Sequence, residues 1–288
     1  MVEIVVKAGD QLGECPLWCP RTGLLWWLDI LKPALQSFDP KTGQHRVHPL
    51  PGKNCGCASL RAKGGFIVAM DNGLRAFDPA TGRHELLCHA EPDKPENRYN
   101  DGRCDRRGRL WIGTMDAEIR HPAGSLYCIE PNLTFRKEFD DLLVPNSTAF
   151  APDDRTFYFA DTPRHIIWAY DFDLEGGAIS NRRIFADLTS RKGLPDGSCV
   201  DADGFLWNAE FAGGRIVRYA PDGRVDRTIE VPVENPTCCC FGGDSLDILY
   251  VTSASFTLKP EERAGSLAGS VLALDVGARG LPEAMFAG

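Results

Sequence analysis

Several features are missing from this 288-residue chain, and each absence closes a class of function. No apolar run is long enough to span a bilayer, so a membrane role is not expected. No block of Lys and Arg offers a phosphate-binding surface. With 40 acidic against 32 basic residues the formal charge is -8, which repels nucleic acid. The first ten residues lack the basic start and apolar stretch of a signal peptide. Val2-Glu3-Ile4-Val5-Val6 reads instead as a strand, and a cytoplasmic protein is expected. There is no Gly-x-Ser-x-Gly elbow, and His45, His48, His84, His89, His121 and His165 are scattered, none beside a candidate Ser or Cys. Nucleophilic ester chemistry therefore fits poorly. A disulfide framework is also missing, because eleven cysteines form an odd set at irregular spacings. Cys15 with Cys19 and Cys55 with Cys57 raise a zinc alternative, but the paired spacing of a zinc site is incomplete. Reduced thiols packed as small hydrophobes are expected.

What is present is a weak internal repeat. Its clearest anchor is an apolar strand: Leu25-Trp26-Trp27-Leu28, Phe66-Ile67-Val68-Ala69, Leu110-Trp111-Ile112-Gly113, Phe157-Tyr158-Phe159-Ala160, Leu206-Trp207-Asn208-Ala209 and Leu249-Tyr250-Val251-Thr252. Successive anchors lie 41, 44, 47, 49 and 43 residues apart. A further strand follows each, as in Leu35-Gln36-Ser37-Phe38-Asp39-Pro40 and Leu74-Arg75-Ala76-Phe77-Asp78-Pro79, then a glycine turn such as Lys41-Thr42-Gly43. No amphipathic helix of convincing length interrupts the series. A period of about 40–50 residues with several short strands is that of a propeller blade. The expected fold is all-β: a six-bladed β-propeller, one domain over residues 1–288, its ring closed by the N-terminal strand as outer strand of the last blade. A β-sandwich or two smaller β domains would not produce six matched anchors.

The innermost strand of each blade lines the central channel. The loop leading into it lies ten or eleven residues before each anchor. Reading back finds Glu14, Cys55, Asn100, Asn146 and Asp196; in the sixth blade the nearest polar residue is Asn235, fourteen back. Ring closure would bring these side chains to one mouth. Carboxylates gathered there repel unless a charge neutralises them, and two carboxylates with an amide carbonyl suit a hard divalent cation. Ordinary turn residues are the other reading, since Asn and Asp favour turns, although Glu does not.

The same positions carry a resemblance. Gly13-Glu14-Cys15-Pro16, Arg98-Tyr99-Asn100-Asp101-Gly102, Gly113-Thr114-Met115 with Glu118, Pro145-Asn146, and Pro195-Asp196-Gly197-Ser198 with Gly204-Phe205-Leu206-Trp207 occur in one order. In that order they resemble motifs of the SMP-30/gluconolactonase/luciferin-regenerating-enzyme family, from about Leu12 to Thr252. The resemblance implies a six-bladed propeller with one divalent metal near the channel mouth and hydrolysis of sugar lactones. It implies Glu14, Asn146 and Asp196 as metal ligands, Asp196 also as catalytic base, and Arg98, Asn100 and Glu118 as substrate contacts. The metal itself stays open among Ca²⁺, Zn²⁺, Mn²⁺, Mg²⁺ and Fe²⁺. Two departures concern the pocket. Cys15 replaces a small residue after the Glu, and Ser147-Thr148 follow Asn146 where Gly is common. The expected substrate is a small-molecule sugar lactone opened to its aldonic acid. Promiscuous phosphotriester or arylester hydrolysis at the same metal is the alternative activity, and a non-catalytic calcium-binding propeller the alternative class.

Overall fold

The computed structural model describes residues 2–288. It contains six four-stranded antiparallel sheets and almost no helix: one 3-10 turn, Thr162–Arg164, and one short α-helix, Pro260–Arg263. Five sheets are built from consecutive strands. The sixth takes its outer strand, Val2–Val6, from the other end of the chain, paired in antiparallel register with Val271–Asp275. The architecture is the six-bladed propeller expected from the repeat, with the ring closed by the N-terminal strand. This latch also covers the edge that the last blade would otherwise leave open.

The strand patterns follow from position in the blade. The anchor strands, Leu24–Asp29, Phe66–Met70, Leu110–Asp116, Thr156–Asp161, Leu206–Phe211 and Ile248–Ser253, are buried almost throughout. They are covered on both faces by neighbouring blades, so they read as continuous apolar runs. Outer strands such as Gln44–Pro49 are mostly exposed and polar. Trp27, Trp111 and Trp207 are fully buried. Their indole N–H groups donate to Asp10, Asp105 and Asp201 at 2.8, 2.9 and 2.9 Å, so none of these three strands its donor in the core. The glycine turns close as the sequence suggests: Gly43 takes φ 73°, a left-handed conformation, and its N–H reaches Asp39 O at 2.8 Å.

The channel has two unlike ends. Connections into the inner strands lie at one face, the mouth. At the opposite face the segment 279–288 runs beneath the ring. Its hydrogen bonds reach Ala202, Leu246, Leu60, Ala62 and Gly108, and Phe286 is fully buried. Glu283 from this strap pairs with Arg103, whose guanidinium also donates to Thr148 O and Ser198 O. The strap thus ties four blades together below the site. No helix among the described residues is long and apolar enough to cross a membrane.

Candidate active site at the channel mouth

All six inner strands share one irregularity. Pairing with the anchor strand breaks between Glu14 and Leu17, Cys55 and Cys57, Tyr99 and Gly102, Asn146 and Ala149, Pro195 and Ser198, and Pro236 and Cys239. A β-bulge leaves residues out of the ladder and re-aims their side chains. Here Asn100 and Asp196 lie within the break, whereas Glu14 and Asn146 stand at its edge, still paired with Leu28 and Ala160. The residues after Glu14 and Asn146 adopt φ of 52° (Cys15) and 57° (Ser147). That left-handed backbone is where glycine is the relaxed choice, so Cys15 and Ser147 hold it at a cost. Gly197, after Asp196, answers to a different constraint: a Cβ there would lie 2.3 Å from Cys238 Sγ.

The sixth blade corrects one expectation. The bulge places Thr237, not Asn235, at the position matching Asp196, because each follows a proline paired to the anchor strand, Pro236 and Pro195. Asn235 is spent on Thr257 Oγ1 at 2.8 Å, and Thr237 on Gly13 O and Thr252 Oγ1. Blade six therefore offers no ligand.

Glu14 and Asp196 are both buried, and each bears on the other's titration. Burial pushes the Glu14 carboxyl up to about 8, and the Asp101 carboxylate adds to the rise. The Cys15 N–H at 2.8 Å, Arg98 and Asp196 act in the other direction. Asp196 is held well above the usual carboxylate range, again by burial first, then by Glu14 and Asp101. Asp101 is the residue that sequence reasoning left without a role. It is buried, accepts the Thr148 N–H at 2.7 Å, and is itself raised by burial. Against these carboxyls stands Arg98, buried and depressed to about 10 by desolvation.

Hydrogen bonds orient the amides. Arg98 Nη1 donates to Asn100 Oδ1 at 2.7 Å, and Asn100 Nδ2 donates to Asn146 Oδ1 at 3.0 Å and to Pro145 O at 2.9 Å. Asn146 Nδ2 donates to Thr162 Oγ1 at 2.8 Å. Arg98, Asn100, Asn146, Glu14 and Asp196 thus converge. Glu118 does not join them: its side chain is 75% exposed on the loop after Leu110–Asp116, 3.7 Å from Arg120. That loop stands on the mouth face, since Asp116 pairs with Asn97 where the inner strand begins.

The donor set fits a hard divalent cation. Two carboxylates that burial drives toward protonation become stable as anions beside a doubly charged ion, and the Asn146 carbonyl adds a neutral oxygen. Among the described residues no three His, Cys, Asp or Glu side chains are grouped to hold an ion, so an ion here would need that amide as well. The cysteines form no zinc centre. All eleven are free, ten of them buried, and the closest approaches across blades are Cys15–Cys57 at 4.0 Å and Cys199–Cys239 at 3.6 Å.

Comparison with known proteins bears on the same residues. The profile of the SMP-30/Gluconolactonase/LRE-like region matches residues 12–255, which include every residue of the cluster. The chain belongs to this family. It is 37% identical to a 6-deoxy-6-sulfogluconolactonase of Pseudomonas putida over 289 aligned positions, covering 100% of this chain and 99% of that one. It is 34% identical to a pentonolactonase of Haloferax volcanii, covering 97% and 96%. Among solved structures, a calcium-binding regucalcin from Agrobacterium tumefaciens superposes with a TM-score of 0.93 at 34% identity, covering 98% of this chain and 96% of that one.

Proposed function

We propose that this family member is a metal-dependent hydrolase that opens a sugar lactone to the aldonic acid. The observation that carries the reading is the buried Glu14–Asp196 pair at a channel mouth where Arg98, Asn100 and Asn146 are linked by hydrogen bonds. The lactonase names of the relatives at 34–37% identity support the substrate class. The site draws on blades one, three, four and five, so residues 1–288 act as one domain.

A divalent cation held by Glu14, Asn146 and Asp196 would supply Lewis acidity to the ester carbonyl and to water. The side chains supply the rest. Asp196 takes a proton from the attacking water as its oxygen bonds to the carbonyl carbon. The ring C–O bond then breaks, and the same proton goes to the departing ring oxygen, leaving a hydroxy acid. Arg98, held in place by its bonds to Tyr99 O and Asn100 Oδ1, presents its remaining N–H donors to sugar oxygens. Glu118, exposed on the mouth loop, accepts from sugar hydroxyls. The strap beneath the ring leaves the mouth as the side from which substrate arrives.

A second reading has one observation in its favour: the likeness to a calcium-binding protein, which suggests an ion site without turnover. The test is hydrolysis of pentonic, hexonic and acid-substituted sugar lactones by metal-free and metal-reloaded protein. The lactonase reading expects activity that follows the metal and is lost in Asp196→Ala. Tight ion binding with no turnover on any lactone would favour the calcium-binding reading.

A further inference from the structure

The hydrogen bonds at the mouth form a chain with a fixed direction. It starts at Arg98, which has donors and no acceptor, and passes to Asn100 Oδ1 at 2.7 Å. Asn100 must then turn its nitrogen outward, to Asn146 Oδ1 at 3.0 Å. Asn146 in turn donates to Thr162 Oγ1 at 2.8 Å, and the Thr162 hydroxyl donates to Pro195 O at 2.8 Å. The chain ends there, on a carbonyl that can only accept. Because both ends are committed, neither amide can flip without breaking at least two bonds and placing like groups together.

Thr162 is the link that closes this chain. It is buried at the start of the 3-10 turn after the anchor strand of blade four. Its hydroxyl does two things at once. It holds the Asn146 nitrogen, so that the amide oxygen is kept on the side of Asn100 Nδ2. It also ties blade four to Pro195, the residue before Asp196. We propose that Thr162 is a positioning residue for the metal site, setting ion affinity by fixing the orientation of Asn146 and the backbone that carries Asp196. The inference rests on the metal reading above and adds to it a residue outside the ligand set. Partners of this kind, one bond removed from the ion, typically govern affinity by about 10–100-fold.

The test compares Thr162→Val, which keeps the shape and removes the hydroxyl, with Thr162→Ser, which restores it. Metal-free proteins are titrated calorimetrically with Ca²⁺ and, separately, Mn²⁺, and melting is followed without metal. The expected result is at least about tenfold weaker ion binding in Thr162→Val and near wild-type binding in Thr162→Ser. A merely structural role would lower the melting temperature of Thr162→Val and leave its ion affinity unchanged; that result overturns the inference alone. Absence of ion binding in the wild type overturns the metal reading and this inference with it. Should Thr162→Val not fold, the wild-type protein still decides. The side-chain amide protons of Asn146 are expected to exchange with solvent far more slowly than those of exposed Asn72, and equal rates overturn the inference.

Discussion

Ion binding at the mouth should depend steeply on pH, and the structure sets the size of the effect. The ion requires Glu14 and Asp196 as carboxylates, whereas burial, reinforced by the Asp101 carboxylate, favours their protonated forms in the metal-free protein. With Glu14 at about 8, two pH units below that value cost about 2.7 kcal/mol, or about 100-fold in affinity, for this proton alone. Affinity should therefore rise about tenfold per pH unit from pH 6 toward pH 8 and level off above. Asp196, also raised, adds a second proton and steepens the rise. Competition against a fluorescent chelator at pH 6, 7, 8 and 9 measures the slope. Calorimetry in buffers of different ionisation enthalpy counts the protons released, with one to two expected per ion. An affinity that does not change between pH 6 and pH 8 would refute the reasoning, because it would mean that both carboxyls are already ionised without the metal.

Three further outcomes follow from other parts of the fold. Glu118→Gln should raise KM for a lactone and leave kcat nearly unchanged, since Glu118 lies on the exposed mouth loop apart from the reacting centre; equal losses in kcat and kcat/KM would place it in the chemistry. Glu283→Ala leaves Arg103 largely buried without its carboxylate and should destabilise by about 3 kcal/mol in urea unfolding, against no change if the strap is incidental. Asp10, at the seam where the ring closes, is raised by burial to about 7 from an ordinary 3.8. Its folded form thus favours the proton, so its stabilising contribution is complete below pH 3.8 and is lost as pH rises through 7. Between pH 5 and pH 8 the wild type should lose about 2–3 kcal/mol more than Asp10→Asn, and parallel pH profiles would contradict this.

The fold was legible because each anchor strand is covered on both faces and so keeps an apolar run that recurs with the blade period. The latch was legible for a similar reason, as Val2–Val6 is a strand with no blade of its own beside it. The bulges were not, since they are defined by pairing with a neighbour and not by composition. That is why counting back from Leu249 landed on Asn235, when the proline before the bulge sets Thr237 in register. The strap from 279 to 288 carries no periodicity, and only the packing of Phe286 and the Arg103–Glu283 pair give it a place. In the site, spacing brought Glu14, Asn100, Asn146 and Asp196 to one mouth, and the resemblance added Arg98 and Glu118. Asp101 and Thr162 escaped notice because their roles lie in what they touch. One is a buried carboxyl that raises both members of the pair, the other a hydroxyl in a turn where Thr carries no signal of its own.

The measurement closest to the central claim is lactone hydrolysis by one protein sample in three states: as purified, stripped by chelator, and reloaded with a single divalent ion. The account predicts ring opening that disappears on stripping and returns on reloading, and that Asp196→Ala does not regain in any state. Undiminished hydrolysis by the stripped protein, or full activity of Asp196→Ala, would contradict it.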